Sequence, residues 1–130
     1  MLTSNKILLV FDGGSKGNPG FGYGSYATSV DGKTTITRLE FGNGVTNNEA
    51  EYDTLITALE TISKWPSAEQ INLEVRGDSQ LVIFQVLGKW KAREVRMRTR
   101  RDKVRELLRH FKTFRLVQQP REHSVRVLGH

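Results

Sequence analysis

The chain has 130 residues, of which 37% are hydrophobic and 26% are charged, as expected for one globular domain spanning residues 1–130. It has no cysteine, which excludes disulfides and thiolate metal sites. No apolar run approaches the roughly 20 residues of a membrane span, and the first residues lack a signal peptide's apolar core. We therefore expect a cytoplasmic protein without a membrane partner, and a monomer by default.

The formal net charge of +6 is unevenly distributed, because residues 89–109 carry ten basic side chains against three acidic ones. Such a basic block indicates a polyanionic partner, most simply a nucleic acid. A solvated helix face gives the same pattern. Charge alone leaves both interpretations open.

The first half of the chain predicts three strands and a helix. Residues 6–11 form a buried strand that stops at a carboxylate, and two more strands flank Asp31-Gly32, a dipeptide that favours hairpins. From Asn48 to about Trp65, apolar residues recur at spacings of three and four, which is typical of an amphipathic helix.

The second half predicts strands alternating with helices. Residues 71–77 alternate as a strand does, a short helix ends at Gly88, and another helix lies around residues 104–111. Residues 113–119 form the last strand, followed by Pro120 and a short tail. This order predicts an α/β fold with a mixed five-stranded sheet, three antiparallel strands and then parallel strands, flanked by helices.

Three acidic residues occupy related places in this scheme. Asp12 ends the first strand, Asp78 ends the fourth, and Glu51 lies in the first turn of the long helix. If the two strands are parallel neighbours, their acids emerge side by side, and the helix can bring Glu51 to the same point. Two unit charges ~4 Å apart repel by about 4 kcal/mol at an effective dielectric of ~20. Such a cluster is partly protonated or holds a cation, and oxygen ligands favour Mg²⁺ or Mn²⁺.

Each acid also has a purely structural interpretation. Asn48 to Glu51 has the spacing of a helix capping box, Asp78 precedes a helix that it can cap, and Asp12 before two glycines is typical of a turn. These roles stay open for each residue alone. Their combination in a basic protein favours a metal site.

Three segments, FDGGSKGNPGFGYG, TNNEAEYDTLITALE and RGDSQLVIFQV, resemble the leading motifs of the type 1 ribonuclease H family in order and spacing. GKWKAR and QQPRE resemble its later landmarks, so the match covers about residues 5–124. The resemblance implies the ribonuclease H-like fold. It also implies an endoribonuclease that cuts the RNA strand of RNA–DNA hybrids with two divalent ions, Mg²⁺ or Mn²⁺, leaves 5′-phosphate products and needs no organic cofactor.

The resemblance also implies roles for individual residues. Asp12, Glu51 and Asp78 correspond to catalytic, metal-binding carboxylates, and the spacing from the paired asparagines selects Glu51 over Glu49. Glycines let a nucleic-acid backbone approach, and amide side chains suit the minor groove, where the 2′-hydroxyl distinguishes RNA from DNA. The substrate-binding positions are Gly13, Gly14, Asn18, Thr46, Asn47, Asn48, Gln80, Lys89, Trp90 and Lys91.

The tail departs from the family pattern. Leu128 stands where relatives have a fourth aspartate, and leucine cannot bind a metal ion; the C-terminal helix also looks truncated. Three interpretations stay open: a site of three acids completed by water, partial replacement by His123 or His130, or an altered chain end. Imidazole suits Mn²⁺ better than Mg²⁺. We expect reduced but real hydrolysis.

Two other functions stay open beside a nuclease for hybrids. The first is a module that binds hybrid or double-stranded RNA with weak or lost catalysis. The second is a nuclease for DNA, which the set of Asn and Gln residues disfavours. Trp90 can equally pack in the core, and His110 is expected to be structural or solvent-facing.

Overall fold

Residues 5–129, which the computed structural model describes, contain five strands and four α-helices. The strands are β1 (Lys6–Lys16), β2 (Gly20–Val30), β3 (Lys33–Val45), β4 (Asn72–Gly77) and β5 (Thr113–Gln118). The helices are α1 (Asn47–Ser63), α2 (Gln80–Leu87), α3 (Val95–Leu108) and α4 (Arg121–Leu128), with a 3₁₀ turn at Ala68–Gln70. All the strands and the first three helices were predicted from the sequence, but the helix expected around residues 104–111 begins earlier, at Val95, and ends at Leu108.

The strands form one mixed sheet in the order β3-β2-β1-β4-β5. β1, β2 and β3 pair in antiparallel fashion, whereas β4 is parallel to both β1 and β5. The predicted five-stranded mixed sheet is confirmed. The Asp31-Gly32 turn is also confirmed, because both residues have positive φ values of 51° and 79°, as a tight two-residue hairpin turn requires.

β1 is longer than predicted. Its parallel pairing with β4 ends at Phe11 and Gly77, but its antiparallel pairing with β2 continues to Lys16. The prediction that Asp12 ends the strand is therefore wrong, and so is its interpretation as a turn residue. Asp12 and Asp78 are instead the first residues beyond the parallel pairing: Asp12 lies within the continuing strand β1, whereas Asp78 directly follows the end of β4.

The two faces of β1 pack against different helices. Ile7, Leu9 and Phe11 are almost fully buried in the main core, which includes the apolar stripe of α1. On the other face Val10 packs in a smaller cluster with Leu128 of α4. This alternation follows from the two-residue period of a strand, and it makes Asp12 share a face with Val10.

The N-terminus of α1 has a capping box, but not the predicted one. Thr46 Oγ1 accepts a hydrogen bond from the N–H of Glu49 at 3.1 Å, and Glu49 Oε1 accepts one from the N–H of Thr46 at 3.0 Å. The capping interpretation of Glu51 is therefore wrong. That of Asp78 is wrong as well, because the side chain of Ser79 caps α2.

The predicted tail after Pro120 is a helix over the described residues. Residues 121–128 form α4, which packs on β1 and β2. Leu128 is fully buried, because it packs against Val10 and Ala27 on the face of the sheet that α4 covers. His130 lies outside the described residues. Within residues 5–129 no helix is long and apolar enough to cross a membrane; the cytoplasmic location and the monomeric state stay predictions.

Gly13 packs tightly against α1, which gives its missing side chain a structural reason, and its contact with nucleic acid stays a prediction. A Cβ at Gly13 would lie 2.6 Å from Ala50 O, a main-chain atom of α1. At the next residue, Gly14, a Cβ would meet the Tyr23 hydroxyl at 2.7 Å. The glycine at position 13 therefore lets the helix that carries Glu51 reach the strand.

We predict that Gly13→Ala destabilises the protein by about 1–3 kcal/mol, because neither main chain can move without repacking the core. Gly14→Ala is the matched control, since the half-exposed Tyr23 side chain can swing away. Urea unfolding monitored by circular dichroism measures both. Equal effects of the two substitutions would contradict the close approach at Gly13.

Candidate active site

Three carboxylates meet where the parallel pairing of β1 and β4 ends. Asp12, Glu51 and Asp78 each place one oxygen so that the three atoms lie within 4.8 Å of one another. Asp12 lies on β1, Asp78 directly follows β4, and Glu51 is the fifth residue of α1, so the prediction that Glu51 lies in the first turn of the helix is wrong by one turn. The structure therefore brings together the three acids that were singled out in the sequence.

The main chain of β1 fixes the position of Glu51. The N–H of Gly13 donates a hydrogen bond to Glu51 Oε2 at 3.1 Å. Because Gly13 also permits the close approach of α1, one residue provides both the space and the donor. Glu49, two residues earlier, lies elsewhere and pairs with Arg96 and Arg100 at 3.6 and 3.5 Å.

Burial and mutual repulsion perturb the acids. Burial first, and then the carboxylates of Asp12 and Asp78, raise the pKa of Glu51 well above its usual value. The N–H of Gly13 opposes this shift. Burial and Asp12 also raise the pKa of Asp78, and the Arg121 guanidinium opposes that increase. The neighbouring groups of the protein therefore do not offset the repulsion among the three carboxylates.

The cluster fits a divalent cation. Asp78 Oδ1 is buried and has no hydrogen-bond partner, which is costly for a carboxylate oxygen unless a cation or solvent satisfies it. All the donors are oxygens, the ligands that Mg²⁺ and Mn²⁺ prefer. Asp12, Glu51 and Asp78 are accordingly the residues that would hold metal.

Two of the predicted substrate residues link α1 to β1 and to the β1–β2 connection. Asn47 Oδ1 accepts a hydrogen bond from the N–H of Ser15 at 2.7 Å, and Asn18 Oδ1 accepts one from the N–H of Asn47 at 2.9 Å. Both amide oxygens are thus used within the protein. The side-chain NH₂ groups, each with two hydrogens, remain as donors toward a ligand.

A polar groove of about 480 Å³ lies beside these residues. It is lined by residues from the β1–β2 connection, the start of α1, α2, the loop after α2 and the start of α3. The lining residues are Asn18, Thr46, Asn48, Leu81, Gln85, Lys91, Arg93, Glu94, Arg96 and Met97. The structure therefore gathers four of the predicted substrate residues, Asn18, Thr46, Asn48 and Lys91, into one surface.

The other predicted substrate residues lie outside this groove. Gln80 is exposed at the start of α2. Trp90 is 45% exposed and packs edge-on against Phe84, so the interpretation of Trp90 as a core residue is wrong. Lys89 Nζ lies 5.5 Å from the centre of the same Phe84 ring.

The basic block is partly structural. Arg100 pairs with Asp53 at 2.8 Å, and Arg105 donates to the last carbonyl groups of α2. These contacts hold α3 against α1 and α2. Only part of the block is therefore available to a polyanion, notably Lys91 and Arg93 at the groove.

Two residues that border these sites were not predicted from the sequence. Arg121 is close enough to affect Asp78, although its segment was noted only as a landmark. Gln85 lines the groove but sits within an apolar helix pattern that gave no signal. His110 and His123 are both exposed, in agreement with a solvent-facing His110.

We predict that Glu51→Gln and Asp78→Asn stabilise the protein in EDTA at pH 7. An acid with a raised folded-state pKa destabilises folding at every pH above its unfolded-state pKa. Each substitution should raise Tm by roughly 3 °C or more, and the gain should vanish below about pH 4, where the unfolded acids are protonated. Calorimetry across this pH range measures the effect.

Glu49→Gln is the matched control. Although burial opposes the shift, hydrogen bonds from Thr46 and the charges of Arg100 and Arg96 lower the pKa of Glu49. Its contribution to stability is present above the unfolded-state pKa, so this substitution should lower Tm at pH 7. If all three substitutions destabilised the protein alike, the carboxylate cluster would not be repulsive.

Several known proteins resemble this chain in sequence. A family model described as "Reverse transcriptase-like" matches residues 27–127. A ribonuclease HI of Halobacterium salinarum is 38% identical over 117 residues, which cover 89% of this chain and 57% of that protein. A ribonuclease H of Ruthia magnifica is 33% identical over 99 residues, 68% of this chain and 60% of that protein. The chain thus spans less than two thirds of either relative.

Solved structures give the same assignment. The crystal structure of RNase H1 from Halobacterium salinarum superposes with a TM-score of 0.85 at 35% identity, covering 94% of this chain and 91% of that one. LC11-RNase H1, solved in complex with an RNA/DNA hybrid, has a TM-score of 0.82 at 30% identity and covers 93% and 90% of the two chains. Together with the sheet order and the meeting of three acids, these matches show that the chain belongs to the ribonuclease HI family.

Proposed function

We propose that this chain is a metal-dependent endoribonuclease that hydrolyses the RNA strand of RNA–DNA hybrids. The observation that carries the proposal is the convergence of Asp12, Glu51 and Asp78 within 4.8 Å, beside a polar groove that holds Asn and Lys side chains. Three carboxylates with an unsatisfied buried oxygen suit divalent cations better than any role in packing.

In this proposal the protein contributes position and charge rather than a nucleophile. Two divalent ions, when bound, would supply water activation and stabilisation of the leaving 3′ oxygen. The N–H of Gly13 holds the Glu51 carboxylate in the cluster with Asp12, and Asp78 offers a buried oxygen that has no hydrogen-bond partner. Hydrolysis on this pattern leaves a 5′-phosphate.

The asparagines support a substrate with an RNA strand. Because the amide oxygens of Asn18 and Asn47 bind main-chain N–H groups, their NH₂ groups can only donate. The minor groove offers acceptors to such donors, namely N3 and O2 atoms of the bases and, in RNA, the 2′-oxygen. The groove thus favours a nucleic acid that presents its minor groove, and LC11-RNase H1 was solved with such a hybrid.

A module that binds hybrid without turnover is the second candidate. It is favoured by one observation, the leucine at position 128 in place of the family's fourth acid. Leu128 is fully buried against Val10 and Ala27, so it contributes packing and no metal ligand. Three acids nevertheless suffice to hold a cation, and we therefore favour reduced but real hydrolysis.

The proposed activity is tested by incubating the protein with labelled hybrid, RNA duplex and DNA duplex in Mg²⁺ and, separately, in Mn²⁺. We predict metal-dependent cutting of the RNA strand of the hybrid alone. Asp12→Asn should reduce the rate by about 10³-fold or more, since a bound metal contributes several kcal/mol. Asp102→Asn, at an exposed acid of α3, is the control and should retain full activity. Tight hybrid binding without products, even at high protein concentration, would contradict the enzyme and favour the binding module.

Leu128→Asp tests the missing fourth acid. Val10 turns to the same face of β1 as Asp12, two residues away, so an acid beside Val10 lies near the cluster. We predict more hydrolysis at limiting Mn²⁺ for Leu128→Asp than for Leu128→Asn, which loses the same packing but adds no charge. Both substitutions should lower Tm by several degrees. Equal activity of the two variants would show that position 128 does not reach the metal.

A further inference from the structure

The loop between α2 and α3, residues 88–94, forms one wall of the polar groove. It has no helical or strand residues, and it carries Lys89, Lys91 and Arg93, of which the last two line the groove. We call it the cationic loop. A flexible loop would hold its charges poorly, because each phosphate contact requires a defined cation position.

We infer that Gln85 is a positioning residue that sets the place of this loop relative to the catalytic acids, an inference that rests on the proposed function. Gln85 is only 5% exposed. Its Oε1 accepts a hydrogen bond from the Tyr52 hydroxyl at 2.7 Å, and its Nε2 donates one to Lys91 O at 3.2 Å. Tyr52 is fully buried and directly follows Glu51. One buried amide therefore links the helix of the metal site to the loop.

The start of the loop is fixed in another way. The N–H groups of Lys89 and Trp90 both donate to Phe84 O, at 2.8 and 3.1 Å. Arg105 of α3 donates to Val86 O at 3.0 Å. These bonds hold residues 88–90 whether or not the Gln85 side chain is present.

The second half of the loop depends on Gln85. Within residues 5–129, the main chain of residues 91–93 makes no hydrogen bond other than that from Gln85 to Lys91 O. Ala92 is buried and adds an apolar contact, but a methyl group does not define orientation as a hydrogen bond does. The amide is therefore what selects one position for Lys91.

A glutamine is well suited to this task. It offers an acceptor to Tyr52 and a donor to Lys91 O at the same time. A buried polar group that lacks a hydrogen-bond partner costs free energy. An apolar residue of similar size would leave a hydroxyl and a carbonyl without partners. The loop would then move to satisfy its carbonyl with water, and the groove would lose the defined position of its cations.

Two substitutions separate the two hydrogen bonds. Gln85→Glu keeps an acceptor for Tyr52 but offers no donor to Lys91 O, whereas Gln85→Met loses both. We expect each to raise KM for the hybrid by roughly tenfold with kcat within about twofold of the wild type, because the metal site is untouched. The dependence of KM on salt should also become shallower, since fewer cations reach phosphates.

A spectroscopic measurement follows the loop without any need for catalysis. The chain has no cysteine, so Arg93→Cys labelled with acrylodan places a single fluorophore at an exposed position in the second half of the loop. Release of the loop should shift the emission to longer wavelength and increase quenching by acrylamide. If the chain binds hybrid without cutting it, Kd replaces KM, so failure of the proposed function does not hide the outcome.

Ile62→Val is the control for general destabilisation. Ile62 is fully buried in the last turn of α1, at the opposite end of the helix from Glu51 and Tyr52; its substitution should lower Tm while KM and quenching stay unchanged. The inference would be overturned if both Gln85 variants kept the wild-type quenching and KM. It would also be overturned if Ile62→Val raised KM in proportion to its loss of Tm.

Discussion

Repulsion among three carboxylates, held together by the packing of apolar residues around them, is the constraint on which the site depends. Asp12 and Asp78 emerge together because β1 and β4 are parallel neighbours with Phe11 opposite Gly77. Glu51 joins them because Gly13 lets α1 close on the strand. The buried core supplies the free energy that offsets this repulsion, and under the proposed function a divalent cation would relieve it.

The surroundings of the cluster serve to keep its parts in place. Ion pairs between Glu49 and α3 hold the first turn of α1, and the amide of Asn47 ties that turn to β1. Part of the basic block is used in this way, which leaves fewer cations for a substrate than the composition indicates. A nucleic acid in the groove would meet side chains that are oriented before it binds, which reduces the entropy cost of binding.

The sheet and the three acids could be predicted from the sequence. Alternating apolar residues, apolar residues at helical spacing and the order of three short motifs are all visible in short stretches of the chain. Prediction failed where long-range pairing decides. The antiparallel partner β2 extends β1 beyond Asp12, which no local pattern reveals. The capping box was predicted from Asn48 to Glu51, whereas the structure has it from Thr46 to Glu49. Both residue pairs have the three-residue spacing of a capping box, so the sequence did not distinguish them. Gln85 has no local signal at all, since its two partners lie on other segments.

The most direct test of the account is a crystal of the protein soaked in Mn²⁺, with anomalous diffraction recorded at the manganese edge. The account predicts a peak of anomalous density bound by oxygens of Asp12, Glu51 and Asp78, with a second peak when hybrid is present. The same soak of Asp12→Asn should give no peak. Absence of manganese from the wild-type cluster, or manganese bound only elsewhere, would contradict the central claim that this fold gathers three acids to hold metal.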